Sequence, residues 1–292
     1  MKRGTIVSVV AGYYFVEAED DNKIYLCRGR GKLRKKASPL AGDQVYFSAE
    51  EEVGSVEEVL PRRNQLRRPA VANVDVVAVV LAAHSPQPNF LLVDKILALA
   101  MAQGMDALIC VNKADLDWEQ AQGYASMYDH DFETVVCSAE SGQGLGGFLD
   151  LVGQRTVVLA GQSGVGKSRL ISHIAVGELD IPLQIGEISA KIGRGKHTTR
   201  QVSLLPLASG GKVADTPGFS VLELDLESRE LHRLYPEFDK YASGCKFSPC
   251  LHIHEPNCAV KEQVDAGAIH PCRYENYLKI YQELKKKEAQ RY

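Results

Sequence analysis

Lys167 and Ser168 close the octapeptide Gly161-Gln162-Ser163-Gly164-Val165-Gly166-Lys167-Ser168, which matches G-x-x-x-x-G-K-[ST] at every fixed position. The residue types state the chemistry. The glycines let the backbone curl so that several N–H groups point at one anion, and a following helix N-terminus adds partial positive charge. Lys167 then reaches β- and γ-phosphates and Ser168 holds Mg²⁺, with Arg169 next in line. A chance glycine-rich turn would lack the right flanks. Here Thr156–Ala160 reads as a buried strand and Arg169–Ile174 as the start of a helix. The loop indicates a nucleoside triphosphate without choosing the base.

The base is chosen elsewhere. Asn112-Lys113-Ala114-Asp115 follows an apolar run and fits N-K-x-D, the guanine-reading pattern. A carboxylate at Asp115 accepts from guanine N1–H and from its exocyclic amine. Adenine offers no such donor pair, and each lost bond costs about 1–3 kcal/mol. The Lys113 stem packs along the base, and Asn112 braces the loop. Ser138-Ala139 fits the second base-side pattern, a backbone N–H toward guanine O6. Asp215-Thr216-Pro217-Gly218 fits D-x-x-G: Asp215 orients Mg²⁺ through water, and the Gly218 N–H senses the γ-phosphate. Thr198-Thr199 offers a switch threonine for Mg²⁺, and the residue types do not choose between the two.

These residues need elements to hold them. With 292 residues, 45% hydrophobic and 24% charged, the chain suits two or three globular domains. Short β segments at 5–10, 13–16, 23–27, 44–47 and 54–60, without helical period, suit a small barrel of OB type over residues 1–67. Residues 62–73 read as a linker. From 68 to 222 strand-like runs at 75–81, 107–111, 134–137, 156–160 and 212–214 alternate with helical patterns at 90–103, 117–129 and 145–152. That alternation implies a doubly wound parallel sheet with ligands at the strand C-termini. Helices are expected at 227–242 and 273–290 within a third domain, 223–292. Its charged end, Glu283–Glu288, is expected to fray or to meet RNA.

Composition narrows the partners. The formal net charge is −3, yet Arg28, Arg30, Lys32, Arg34, Lys35 and Lys36 form one basic cluster, and Arg62, Arg63, Arg67 and Arg68 a second. Local cationic patches on an acidic chain suit a polyanion, with a solvated basic loop as the plain alternative. Barrel aromatics could stack bases where they face outward. No apolar run reaches the length of a membrane span, the N-terminus lacks a signal-peptide core, and no lipidation motif is present, so a cytoplasmic protein is expected. Cys27, Cys110 and Cys137 sit in strand-like runs and read as buried inert thiols.

The order of the motifs is permuted. N-K-x-D and S-A precede the phosphate loop, whereas an ordinary GTPase places them last. One sheet opened at a different connection, with its old ends joined near 142–155, gives this order. With this order, the tail and the motifs above, the chain resembles the bacterial circularly permuted GTPases of small-ribosomal-subunit assembly, the small-subunit-dependent GTPase A family, over nearly its whole length. The resemblance implies a multidomain α/β protein: OB-type barrel, circularly permuted P-loop GTPase sheet and helical zinc-binding tail. It implies binding of GTP and GDP with Mg²⁺, and binding to the small ribosomal subunit and its rRNA late in maturation. It also implies slow hydrolysis that the subunit stimulates. A monomer is the default. An RNA-docking checkpoint that uses GTP as a ligand is the alternative reading.

Two sites carry further expectations. Phe219 follows D-x-x-G where many GTPases place a water-orienting Gln. His197, in a Gly-x-His-Thr-Thr stretch like the family's, is one candidate for that role; the other reading places it in a basic RNA-touching loop with Lys191, Arg194, Lys196 and Arg200. In the tail, Cys245, Cys250, His252 and Cys258 have the composition of a closed structural zinc site, with His254 and Cys272 as competing ligands. The family's Cys-x-His pattern favours His252.

Overall fold

The structure is a computed structural model describing residues 1–29, 38–49, 53–177, 202–215 and 224–290. His197, Thr198, Thr199, Gly218 and Phe219 lie outside the described residues, as do Arg30–Lys36 of the first basic cluster. The chain forms two compact units. One comprises Met1–Val76, Leu149–Leu159 and the described part of Ser168–Phe219. The other comprises Val77–Phe148, Ala160–Lys167 and the described part of Ser220–Tyr292.

In the first unit, β1 (Lys2–Val10), β2 (Tyr13–Ala18), β3 (Ile24–Gly29), β4 (Gln44–Ser48) and β5 (Gly54–Val59) close on themselves. β1 pairs with β2, β2 with β3, β3 in parallel with β5, β5 with β4, and β4 with β1. Closure leaves one alternating face inward, where Ile6, Val16, Cys27, Val45, Phe47 and Val56 are fully buried. Tyr14, Phe15 and Phe47 are buried too, so of the barrel's aromatics only Tyr13, Tyr25 and Tyr46 retain exposed surface. The expected linker contains a hairpin, β6 (Gln65–Arg67) with β7 (Ala70–Ala72). Arg62 explains its fixed entry: Nε and Nη2 each lie 2.7 Å from the fully buried Asp43 carboxylate. Arg63 pairs with Asp75 at 2.8 Å. Only Arg62 of the second basic cluster is therefore internal structure, while Arg63, Arg67 and Arg68 remain exposed.

The same unit carries β11 (Thr156–Ala160) parallel to β13 (Lys212–Asp215). Between β13 and the barrel lies β12 (Ser203–Pro206), which the sequence pattern did not mark. It is antiparallel to β13 and meets β1 at Ser8↔Ser203, where the two hydroxyls are 2.9 Å apart.

In the second unit, β8 (Val76–Ala82), β9 (Asp106–Asn112) and β10 (Glu133–Val136) lie in the order β10-β9-β8, with β10 parallel to β9. Every residue of β8 is buried, as expected for a strand covered on both faces. The crossover helix α1 (Phe90–Ala102) starts at Asn89, whose side chain accepts from Leu92 N–H, and stops before Gly104 at φ +65°. Helix α2 (Trp118–Ser126) is capped by Asp117, and α3 (Leu145–Val152) precedes β11. The helix expected over 227–242 is split. Pro236 has no N–H to donate, so a 3₁₀ turn (Ser228–Leu234) ends and α5 (Pro236–Ala242) begins. Helices α6 (Ala259–Asp265) and α7 (Pro271–Ala289) complete the tail. Its charged end is tied down: Lys95 bonds Glu283, and Glu288 accepts from the backbone and hydroxyl of Ser228.

Candidate guanine-nucleotide site and metal centre

The phosphate loop leaves β11 at Ala160 and enters α4 (Lys167–Ile174). Two of its glycines are required by geometry. Gly161 has φ +136°, and a Cβ there would stand 2.3 Å from the Val80 carbonyl oxygen. Gly166 has φ +99°, and its Cβ would stand 2.4 Å from Asn112 Nδ2. Lys167 Nζ donates to the carbonyls of Gly161 and Gln162 at 2.8 and 2.6 Å. Burial lowers its pKa, and no carboxylate among the described residues pairs with it, a site that an anion relieves. Ser163 and Gly164 at the loop crest, and Ser168 and Arg169 in the first turn of α4, are exposed. Asp215 is exposed at the end of β13, two residues beyond the buried Val213.

The residues of the N-K-x-D and Ser138-Ala139 loops are lashed to that loop. Asn112, 1% exposed at the end of β9, donates to Val165 O at 2.9 Å and accepts from Ala139 N–H at 2.9 Å. One amide side chain thus joins three of the sequence motifs. Lys113 takes a left-handed φ of +62° and donates to Ser85 O at 2.6 Å and Gly164 O at 2.7 Å. These two bonds tie Lys113 to the phosphate loop and to the segment after β8. Ala114 is buried, and its N–H donates to Cys137 O. The Ser138 hydroxyl donates to the exposed Asp115 carboxylate and accepts from the N–H groups of Glu140 and Ser141. The carboxylate is held by one oxygen, leaving acceptor capacity for a ligand with adjacent N–H donors. Behind it, Cys110 and Cys137 are buried with sulfurs 3.4 Å apart, and burial raises Cys27 to about 12. All three match the expectation of inert thiols.

The metal centre is local to the tail. Ligand atoms of Cys245, Cys250, His252 and Cys258 all lie within 4.8 Å of one another. Cys245 and Cys250 sulfurs are each 3.8 Å from that of Cys258, and His252 Nδ1 is 3.3 Å from Cys258 and 3.6 Å from Cys245. A tetrahedron with metal–sulfur bonds of about 2.3 Å puts its sulfurs about 3.8 Å apart, so the donor set fits such an ion. The loop is shaped for it: His252 has φ +60°, and the Glu255 carboxylate accepts from the N–H groups of Leu251, Ile253 and His254. Tyr274 and Tyr277 hydroxyls donate to the carbonyls of His252 and Leu251. Burial pushes Cys250 up to about 12 and His252 down to about 4. A divalent cation supplies the charge that thiolates need there. His254 is exposed and outside this cluster, and Cys272 bonds Asn276 elsewhere.

Two contacts escaped the sequence reading. Asn89 N–H donates to Gln162 Oε1 at 2.7 Å, joining the start of α1 to the phosphate loop. Arg273, 4% exposed, is clamped between Asp94 of α1 and Glu237 of α5. Asp94 also accepts from Asn276 Nδ2 at 2.7 Å. The available signal was a carboxylate inside the apolar run Phe90–Leu97, a position that demands a buried partner.

Comparison with known proteins agrees with this geometry. Residues 59–225 match the profile of the RsgA GTPase, and residues 3–56 that of the RsgA N-terminal domain. The chain is 42% identical to the small ribosomal subunit biogenesis GTPase RsgA of Caldanaerobacter subterraneus subsp. tengcongensis, covering 99% of this chain and 98% of that protein. It is 43% identical to the protein of the same name from Geobacillus thermodenitrificans, covering 99% of both. Among solved structures, YjeQ from Thermotoga maritima superposes with a TM-score of 0.81 at 35% identity, covering 97% of this chain and 98% of that one. YloQ, described as a circularly permuted GTPase, gives 0.81 at 36% identity, covering 98% and 96%. A circularly permuted fold, N-K-x-D and Ser138-Ala139 loops bonded to a phosphate loop, and full-length similarity converge: this chain belongs to the RsgA GTPase family.

Proposed function

We propose that this GTPase acts in biogenesis of the small ribosomal subunit, binding the subunit and its rRNA late in maturation and hydrolysing GTP when the subunit stimulates it. The observation that carries the reading is the Asn112 side chain, bonded to the phosphate loop and the Ser138-Ala139 loop at once. It supports a guanine nucleotide held by Asp115, Lys113 and Ala139 at the base and by residues 161–169 at the phosphates. Lys167 neutralises phosphate charge; Ser168 and Asp215 hold Mg²⁺, directly and through water. One of Thr198 and Thr199 completes the Mg²⁺ shell, the Gly218 N–H senses the γ-phosphate, and His197 orients the attacking water in place of the absent Gln. The ion of the tail is Zn²⁺, bound by Cys245, Cys250, His252 and Cys258 in a structural role, since four protein ligands leave no position for reacting water. The barrel, residues 1–67, takes rRNA with Arg28, whose guanidinium lies 4.7 Å over the Tyr13 ring, helped by exposed Arg67 and Arg68 of the hairpin that follows its strands. The permuted GTPase domain spans 68–222 and the zinc domain 223–292. Among the described residues no helix is long and apolar enough to cross a membrane. The reading takes the protein as a monomer working in the cytoplasm.

The test is steady-state GTP hydrolysis with and without purified small subunits, with large subunits as control. Stimulation by small subunits alone is expected, and His197→Ala should keep GTP affinity while losing that stimulation. Nucleotide-dependent binding to small subunits without stimulation would favour the docking-checkpoint reading, which Phe219 after D-x-x-G keeps in play. Loss of both would overturn the assignment.

A further inference from the structure

The first unit holds a cavity of about 490 Å³, within the range of small-ligand sites. It opens where β1 and β4 of the barrel meet the first residues of β11 and β13. The phosphate loop follows the last residue of β11, so this cavity is separate from the proposed GTP site.

Its lining joins cations, an amide and an apolar wall to one carboxylate, Asp75. Arg3, Arg63 and Lys212 bring cations from β1, the turn after β5, and β13. Each rests on a carboxylate: Arg3 on Glu19 at 3.2 Å, Arg63 on Asp75 at 2.8 Å, Lys212 on Glu17 at 2.7 Å. These side chains are a quarter to two-thirds exposed, and ion pairs in that setting contribute about 0–1 kcal/mol, so a shared anion exchanges with them at small cost. Gln44 donates to Thr5 Oγ1 at 2.9 Å, and its Oε1 is buried with no hydrogen-bond partner among the described residues. That acceptor has almost no accessible surface, so an N–H donor reaches it once the Gln44 side chain turns toward the cavity. Leu60 and Pro61 supply an apolar wall.

We propose that this cavity binds a nucleoside monophosphate, either free or as one unstacked nucleotide of an RNA strand. The phosphate lies among Arg3, Arg63 and Lys212, the base lies flat against Leu60 and Pro61, and a base N–H meets Gln44. Inorganic phosphate alone satisfies the cations but leaves the wall and the amide unused.

The test uses the full chain with its phosphate loop first saturated with Mg²⁺ and a non-hydrolysable GTP analogue. The four ribonucleoside monophosphates, inorganic phosphate and short single-stranded RNAs are then titrated by calorimetry. Saturable binding at one site is expected, weakened by about tenfold or more in Arg3→Ala/Lys212→Ala, the loss of one charge-assisted contact being worth about that factor. Affinity for the GTP analogue should not change. Gln44→Leu should flatten the preference among bases without abolishing binding. Should the double variant fail to fold, Arg3→Gln, on a half-exposed side chain, gives the same direction with a smaller fall. Binding of mononucleotides identifies a free ligand, and binding of RNA alone identifies a strand; both require sensitivity to the variants. No saturable binding, binding indifferent to the variants, or phosphate binding as tightly as the monophosphates would overturn the proposal.

Discussion

Replacing Arg273 with Met tests the energetic centre of the second unit. In the native chain the guanidinium donates to Glu237 through Nε at 2.8 Å and Nη2 at 2.6 Å, and to Asp94 through Nη1. Its faces meet Tyr235 at 4.8 Å, Tyr128 at 5.2 Å and Phe132 at 5.6 Å. Methionine refills most of the volume, so the cavity contribution is small. The electrostatic one is not: removing one partner from a buried ion network costs about 3–5 kcal/mol. At roughly 2–4 °C per kcal/mol for a unit of this size, the melting temperature should fall by about 6–20 °C. The cost falls mostly on Glu237, whose Oε2 is buried without a partner among the described residues, because Asp94 keeps Asn276 and Tyr128. Burial already raises both carboxyl pKa values above the usual range, with Arg273 opposing. Without the arginine they rise further. A raised folded-state pKa means the folded variant holds protons that the unfolded chain releases, so its stability falls as pH rises through that value. The deficit should therefore shrink toward pH 5 and widen toward pH 8. Hydrogen exchange of α1 and α7 amides, with urea unfolding alongside, measures it at both. Adding Glu237→Gln should recover a large share. A deficit below about 1 kcal/mol, or one equal at both pH values, would refute the reasoning.

Three further outcomes are expected. Asp115→Asn should weaken GTP by about 2–4 kcal/mol and improve xanthosine triphosphate, whose C2 carbonyl accepts from the new amide; competitive binding measures both. Gly166→Ala should abolish nucleotide binding while leaving the far-UV spectrum intact, because its Cβ meets Asn112 Nδ2 at 2.4 Å in a left-handed conformation. Native mass spectrometry should find one zinc ion per chain, and chelation should raise hydrogen exchange across 245–258 while GTP affinity changes less than about threefold, since the tail's ligands are local.

Much of this was legible because its causes are local. The phosphate loop, N-K-x-D and the five barrel strands are each written in contiguous residues, and the ligand set Cys245–Cys258 spans one loop. The missing pieces are those whose cause lies far along the chain. Strand β12 is four residues ending in Pro206, too short to show alternation, and exists because β13 and β1 flank it. Arg62 reads as surface charge until Asp43 is placed beneath it. Residues 62–73 read as a linker because Asn and Pro are turn formers and the arginines are polar, while Asn64 and Asn73 use their amides to replace backbone bonds. Asp94 could be flagged as a carboxylate needing a partner, but nothing near it names Arg273.

That partner arrives late in synthesis. Asp94 and Arg273 are 179 positions apart, and at roughly 5–20 residues per second a ribosome takes about 9–36 s to join them. Throughout that interval β8, β9 and β10 can assemble with α1 and α2, since those elements are consecutive. The face of α1 that holds Ala98, Leu91 and Leu99 still lacks α7 and its neighbours. A nascent chain in this condition presents an apolar helix face around an unneutralised carboxylate. Completion of the second unit is thus tied to emergence of the last helix, and truncation after residue 270 should yield a chain that chaperones retain.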